Sequence, residues 1–186
     1  MKNKFSIYKI CIIAFAICLN IVGGQIALIL RLPIYLDSMG TIFIASLLGP
    51  VYGMIPSTLS GLIFGFTMDI YSLYYAPVGI ILGFIAGFVC KKRKNTLPWM
   101  LGASLLITIP GTIVSSIITA SLFGGITSSG SSALVQILAK TSIGLTASCF
   151  IVQFCTDYLD RLLSLFLIDK LIDVLPANTI NNIRTK

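Results

Sequence analysis

The side chains that could do chemistry in this chain are few and unevenly placed. Its six acidic residues are all aspartates, and it has no histidine. Arg31, Asp37, Asp69, Asp157, Asp160 and Arg161 form one group of ionisable candidates, with Asn20, Gln25, Tyr71, Tyr74 and Tyr75 adding amides and phenols. Charges beside amides and aromatic rings can hold a small, polar, ring-bearing ligand. Their mixed signs suit a neutral or zwitterionic ligand better than a polyanion. Each also has a plainer reading. Asp37 can cap a helix, the tyrosines can form an interfacial belt, and Asp157, Asp160 and Arg161 can pair among themselves.

Other chemistries find no residues to carry them. There is no G-x-x-x-x-G-K-[ST] loop for phosphate binding. Without His or Glu, the usual acid/base pairs of hydrolysis are hard to assemble, so no enzyme activity is expected. Cys11, Cys18, Cys90, Cys149 and Cys155 contain no C-x-x-C pair and fall mostly in apolar stretches. No metal or cofactor is expected of them, and packing is the better reading.

The elements that must position these residues are membrane helices. Hydrophobic residues make up 56% of the chain and the mean hydropathy is +1.00, which predicts an all-α integral membrane protein of the cell membrane. Its 186 residues suit one domain of about six spans at roughly 20 residues each. Lys2, Lys4 and Lys9 precede the first apolar stretch, Lys91, Lys92, Arg93 and Lys94 interrupt the middle, and Lys170, Arg184 and Lys186 close the chain. The positive-inside rule puts these three regions and both termini in the cytoplasm. The candidate ligand residues then gather towards the opposite face. The net charge of +7 lies beside apolar helix ends, where lipid and orientation explain it without nucleic acid.

The expected spans are 7–30, 37–49, 51–70, 77–90, 97–123 and 150–175. The first is too long for a signal peptide's apolar core and lacks a cleavage site. Leu32-Pro33 is an extended link, with Asp37-Ser38 capping a second helix of about twelve residues. That helix reaches only about 18 Å, short of a hydrocarbon core of roughly 30 Å. Pro110 predicts a kink in the fifth helix, and Gly124 to Ser132 a flexible external loop. The last third has two readings. Ala133–Phe154 is a sixth span with Asp157–Leu175 on the inner surface, or 133–147 is an external helix and the span is 150–175. Asp157, Asp160, Arg161 and Ser164 share one helical face and Asp169, Lys170 and Asp173 the opposite one, which favours the second.

Small residues recur every fourth position at Ser57, Gly61 and Gly65 and at Gly79, Gly83 and Gly87, a pattern that lets helix backbones pack closely. Helix one carries Ala14, Ala16, Cys18, Asn20 and Gly24, a stripe that could dock a partner subunit.

The segment from Leu32 through Leu36-Asp37-Ser38-Met39-Gly40-Thr41, followed by Leu47-Leu48-Gly49-Pro50-Val51-Tyr52-Gly53, resembles the region after helix one in substrate-binding S components of energy-coupling factor (ECF) transporters. The basic cluster after helix four and the ending from Leu159-Asp160-Arg161 to Leu175-Pro176 resemble that family as well, so the likeness covers essentially the whole chain. It implies a six-helix bundle with a short second helix, a vitamin-type ligand held near the external surface, and coupling through a membrane T component to two cytoplasmic ATPase subunits. Release would follow toppling of the S component. Family members often dock the T component through A-x-x-x-A in helix one; here Ala14 is followed by Cys18 and Ala16 by Asn20. Ala14, Ala16 and Cys18 are the expected contacts. The other classes open to such a chain are a stand-alone facilitator, which needs a polar path through both membrane halves, and a membrane sensor or assembly protein, which needs no ATPase.

Overall fold

Glycine and proline divide the chain into helices. The computed structural model describes residues 7–94, 96–176, 180 and 183; Lys2, Lys4, Arg184 and Lys186 lie outside the described residues. Among the described residues the fold is all-helical: α1 (Ile7–Ile29), α2 (Met39–Leu48), α3 (Pro50–Thr67), α4 (Tyr71–Tyr74), α5 (Ala76–Cys90), α6 (Leu97–Phe123), α7 (Ser132–Ala139) and α8 (Leu145–Val174). Helices α3, α5 and α6 each begin with proline in the first turn, where its missing N–H costs nothing and its fixed φ suits the helix. Gly49 makes the α2–α3 turn at φ 87°, and Gly124 ends α6 in the left-handed region, both conformations that a Cβ disfavours. Helices α1 and α6 are long and apolar enough to cross a membrane.

Several elements differ from the sequence reading. Ser38 precedes α2 but its side chain makes no cap; its hydroxyl is taken by α8 instead. Helix α2 has ten residues, about 15 Å of rise. Tyr71–Tyr74 form a separate turn of helix before α5, so the third helix stops at Thr67 rather than 70. Helix α6 runs through Pro110 without ending. In the last third, the short α7 is followed by a turn and by one helix of 30 residues, about 45 Å long. That helix starts at Leu145, five positions before the expected 150, because Gly144 at φ 85° sets the turn into it. A sixth helix over Ala133–Phe154 is thereby overturned.

The bundle has two unlike halves. In one, Ile13, Ala16, Ile42, Ile44, Leu82, Ala86, Ile107, Leu165 and Ile168 pack into an aliphatic core. Its end remote from the cavity is tied by Arg93, whose guanidinium bonds Asp169 and reaches Asp173 at 2.6 Å. Asp169 is therefore buried and does not share an exposed face with Lys170. In the other half the helices separate around a cavity. Helices α3 and α5 meet through small residues: a Cβ on Gly53 would stand 2.7 Å from the Gly83 carbonyl oxygen, and the Ser57 hydroxyl donates to the Gly79 carbonyl at 2.7 Å. Gly61 and Gly65 point away from α5, Gly65 towards Leu73.

The expected docking stripe on α1 is split by its helical geometry. Ala14 and Cys18 are exposed, whereas Ala16 is 0% exposed. Ala16 packs its backbone against Gly40 of α2. The expectation that Ala16 contacts a partner is corrected: residues two apart on a helix lie about 200° apart, so Ala16 faces inwards when Ala14 and Cys18 face out.

Candidate functional site

The cavity forms where α1, α3, α5, α6 and α8 diverge beneath the segments 30–38, 68–75 (which contains α4) and 124–131, and measures about 150 Å³. Its position follows from hydroxyl and amide side chains that replace aliphatic ones in this half. On α6, Thr112, Ser115 and Thr119 recur at helical spacing and face Gln153 and Asp157 of α8. The Thr112 hydroxyl donates to Asp157 at 2.7 Å and the Ser115 hydroxyl to Gln153 Oε1 at 3.1 Å. Thr119 accepts from Gln153 Nε2 at 2.6 Å while donating to the Ser115 carbonyl. Its remaining contact, 2.5 Å to the Tyr75 hydroxyl, is therefore one in which Tyr75 donates. Burial raises the Tyr75 phenol above its usual range, against the lowering effect of the Thr119 contact, so it stays a neutral donor.

Asn20 is a strut as well as a wall residue. Its amide nitrogen donates to Thr41 at 2.8 Å and its oxygen accepts the Gly40 amide at 2.7 Å, joining α1 to α2 in the buried interior.

The loop before α2 is held to α8 by Asp160. The carboxylate accepts the Leu36 backbone amide at 2.8 Å and the Ser38 hydroxyl at 2.9 Å, and bonds the Arg161 guanidinium. Leu36 adopts φ 53°, a left-handed conformation costly for a leucine. That turn directs Tyr35 and Asp37 into the cavity wall. The Tyr35 hydroxyl bonds Ser129 and Ser131 in the α6–α7 loop; burial and the nearby Asp157 push its phenol up to about 12. Asp37 sees protein on one side and the open cavity on the other. Loss of water on the protein side pushes its carboxyl up to about 6, against the pull of Arg161, with Asp160 and Asp157 adding to the rise.

The mouth is closed in part by the segment expected to be a flexible loop. Ser128 donates to Asp69 at 2.7 Å, the Thr127 amide to Ser132 at 2.9 Å, and Gly130 lies against the Arg31 carbonyl. Its serines are hydrogen-bonded within the loop and to Asp69. Phe123 sits among the tyrosines, with ring centroids 4.8 Å from Tyr71, 5.3 Å from Tyr74 and 6.2 Å from Tyr75.

Of the residues singled out from the sequence, Asn20, Asp37, Asp69, Tyr71, Tyr75, Asp157 and Arg161 line the cavity. Gln25, Arg31, Tyr74 and Asp160 are not in its lining. Arg31 is exposed at a turn with φ 50°, Tyr74 points outwards beside Phe123, and Asp160, 0% exposed, stands behind the wall it supports. The sequence reading missed Tyr35, Ser60, Phe64, Ser115 and Gln153. Gln153 was findable, since it lies one helical turn before Asp157. Among the described residues no three His, Cys, Asp or Glu side chains converge as metal ligands.

The chain matches no protein-family model, no curated protein and no solved structure.

Proposed function

We propose that this chain is the substrate-capture subunit of an ECF-type importer, a multi-pass protein of the cell membrane with both termini in the cytoplasm. The observation that carries the reading is a cavity open at one end that stops on a closed aliphatic core. On α1 the wall residues lie from Asn20 onwards and the core residues before it; on α8 the wall ends at Arg161 and the core begins at Leu165. A facilitator needs a polar path through both halves, and here the second half is packed mainly with aliphatic side chains and tied by Arg93 to Asp169. A one-ended pocket without an engine fits capture, with energy supplied by another subunit.

Orientation supports the same reading. Lys91, Lys92, Arg93 and Lys94 follow α5 at the end away from the cavity, so the positive-inside rule turns the cavity outwards. The short α2, and the likeness of residues 32–53 and 159–176 to S components, support a vitamin-like ligand and a T component with two ATPase subunits as partners.

The test is affinity purification of the tagged chain from its native membrane under mild detergent. Recovery of a membrane T component and two ATPases in defined ratio is expected. A chain that elutes alone, and that in vesicles lets solute equilibrate without ATP, overturns capture in favour of facilitation.

A further inference from the structure

The charges around the cavity do not balance. Asp37, Asp69 and Asp157 line it against a single cation, Arg161, and no lysine is among the described lining residues. Arg161 is already engaged, since its guanidinium bonds Asp160. With Asp160 counted, three carboxylates, Asp37, Asp157 and Asp160, act on one guanidinium, and Asp69 adds a fourth to the cavity at its mouth. Asp157 receives the Thr112 hydroxyl and Asp69 those of Ser128 and Ser72. Asp37 is exposed and lines the cavity; its carboxylate accepts its own backbone amide and lies in the field of Arg161, and no hydroxyl of another side chain is bonded to it among the described residues. Surplus negative charge between low-dielectric walls is costly unless carboxyls take up protons or a cation enters.

A bare metal ion is a poor occupant, because no three ligand side chains converge. An organic ion finds more. Tyr35, Phe64, Tyr71 and Tyr75 line the same space, and aromatic faces attract a cation and stack on a ring. The volume of about 150 Å³ is of the order that accepts a benzene-sized molecule.

We propose that the cavity takes an organic cation built on one aromatic ring, held by Asp37 and Asp157 with its ring against the tyrosines. This rests on the capture reading and narrows it from the neutral or zwitterionic ligand that the sequence suggested.

The experiment follows the melting temperature of the purified full-length chain in detergent with three matched probes, benzylammonium, benzyl alcohol and benzoate. A ligand that binds the folded form raises it in proportion to occupancy. Benzylammonium is expected to give the largest shift and benzoate none. Asp37→Asn should weaken benzylammonium roughly ten- to a hundred-fold, the value of one charged hydrogen bond, and leave benzyl alcohol unchanged. Asp69→Asn, at the mouth, gives a second comparison should Asp37→Asn melt early without ligand. Equal shifts from benzyl alcohol or benzoate, or none from benzylammonium up to its solubility, overturn the proposal. Such a failure leaves recovery of the ATPase partners untouched, and loss of those partners leaves a cation preference standing, so the two readings fail separately.

Discussion

Asp160 accepts the backbone amide of Leu36 at 2.8 Å across 124 positions of sequence, so the middle of α8 fixes the conformation of the link between α1 and α2. The same carboxylate takes the Ser38 hydroxyl and the Arg161 guanidinium. An aspartate that faces the ligand set in sequence thus serves the wall from behind.

Replacing Asp160 with Ala should destabilise the fold by about 3–5 kcal/mol, because it strands a buried guanidinium and frees a strained turn. Asp157→Ala should cost clearly less, since Thr112 can turn its hydroxyl to a backbone carbonyl. Denaturant unfolding of both variants in mixed micelles checks the order; an equal loss would mean that Asp160 has no special hold on the loop.

At Gly53 and Gly83 the α3–α5 contact is backbone against backbone, and that crossing should tolerate no larger side chain. Gly53→Val is expected to destabilise by about 1–3 kcal/mol through overpacking against Gly83, read as a lower melting temperature. Gly61→Ala is the control, because the nearest atom to a Cβ there is 3.8 Å away, and it should leave stability nearly unchanged.

How much of this was legible depends on the kind of signal. Helix ends marked by Gly49-Pro50, Pro98 and Gly124 are local signals that the sequence carries outright. The meeting of Asp37, Asp157 and Arg161 was legible only as a shared position near helix ends. The roles of Asn20 and Asp160 were not, because a polar side chain reads alike whether it serves ligand or backbone. Asn20 lies opposite Gly40, and Asp160 opposite Leu36, only after the tertiary fold exists. Nor did the small stripe of α1 declare which residues face out: Ala14-x-x-x-Cys18 and Ala16-x-x-x-Asn20 have the same spacing on opposite faces.

That division of α1 changes which substitution probes partner docking. Ala14→Trp and Cys18→Trp should lower recovery of the ATPase subunits several-fold with the melting temperature unchanged. Ala16→Trp should unfold the chain instead, because its ring would enter the Gly40 backbone. Full recovery of the subunits with Ala14→Trp and Cys18→Trp together would move the docking face off α1.

Topology has a direct check in intact cells. With Cys11, Cys18 and Cys155, the exposed cysteines, replaced by Ser, an impermeant thiol reagent should label Ile126→Cys in the α6–α7 loop and spare Lys92→Cys. The reverse pattern would invert the proposed orientation.

The two halves of the bundle also differ in how freely they can be rewritten. The half away from the cavity is interlocked aliphatic packing, where one change disturbs many neighbours. The half around the cavity presents hydroxyls, amides and carboxyls from separate helices; Ser115 and Gln153 are bound into one network, whereas rim groups such as Ser128 and Asp69 stand on loops. Substitutions near the rim can therefore reshape the cavity while the aliphatic foundation stays fixed.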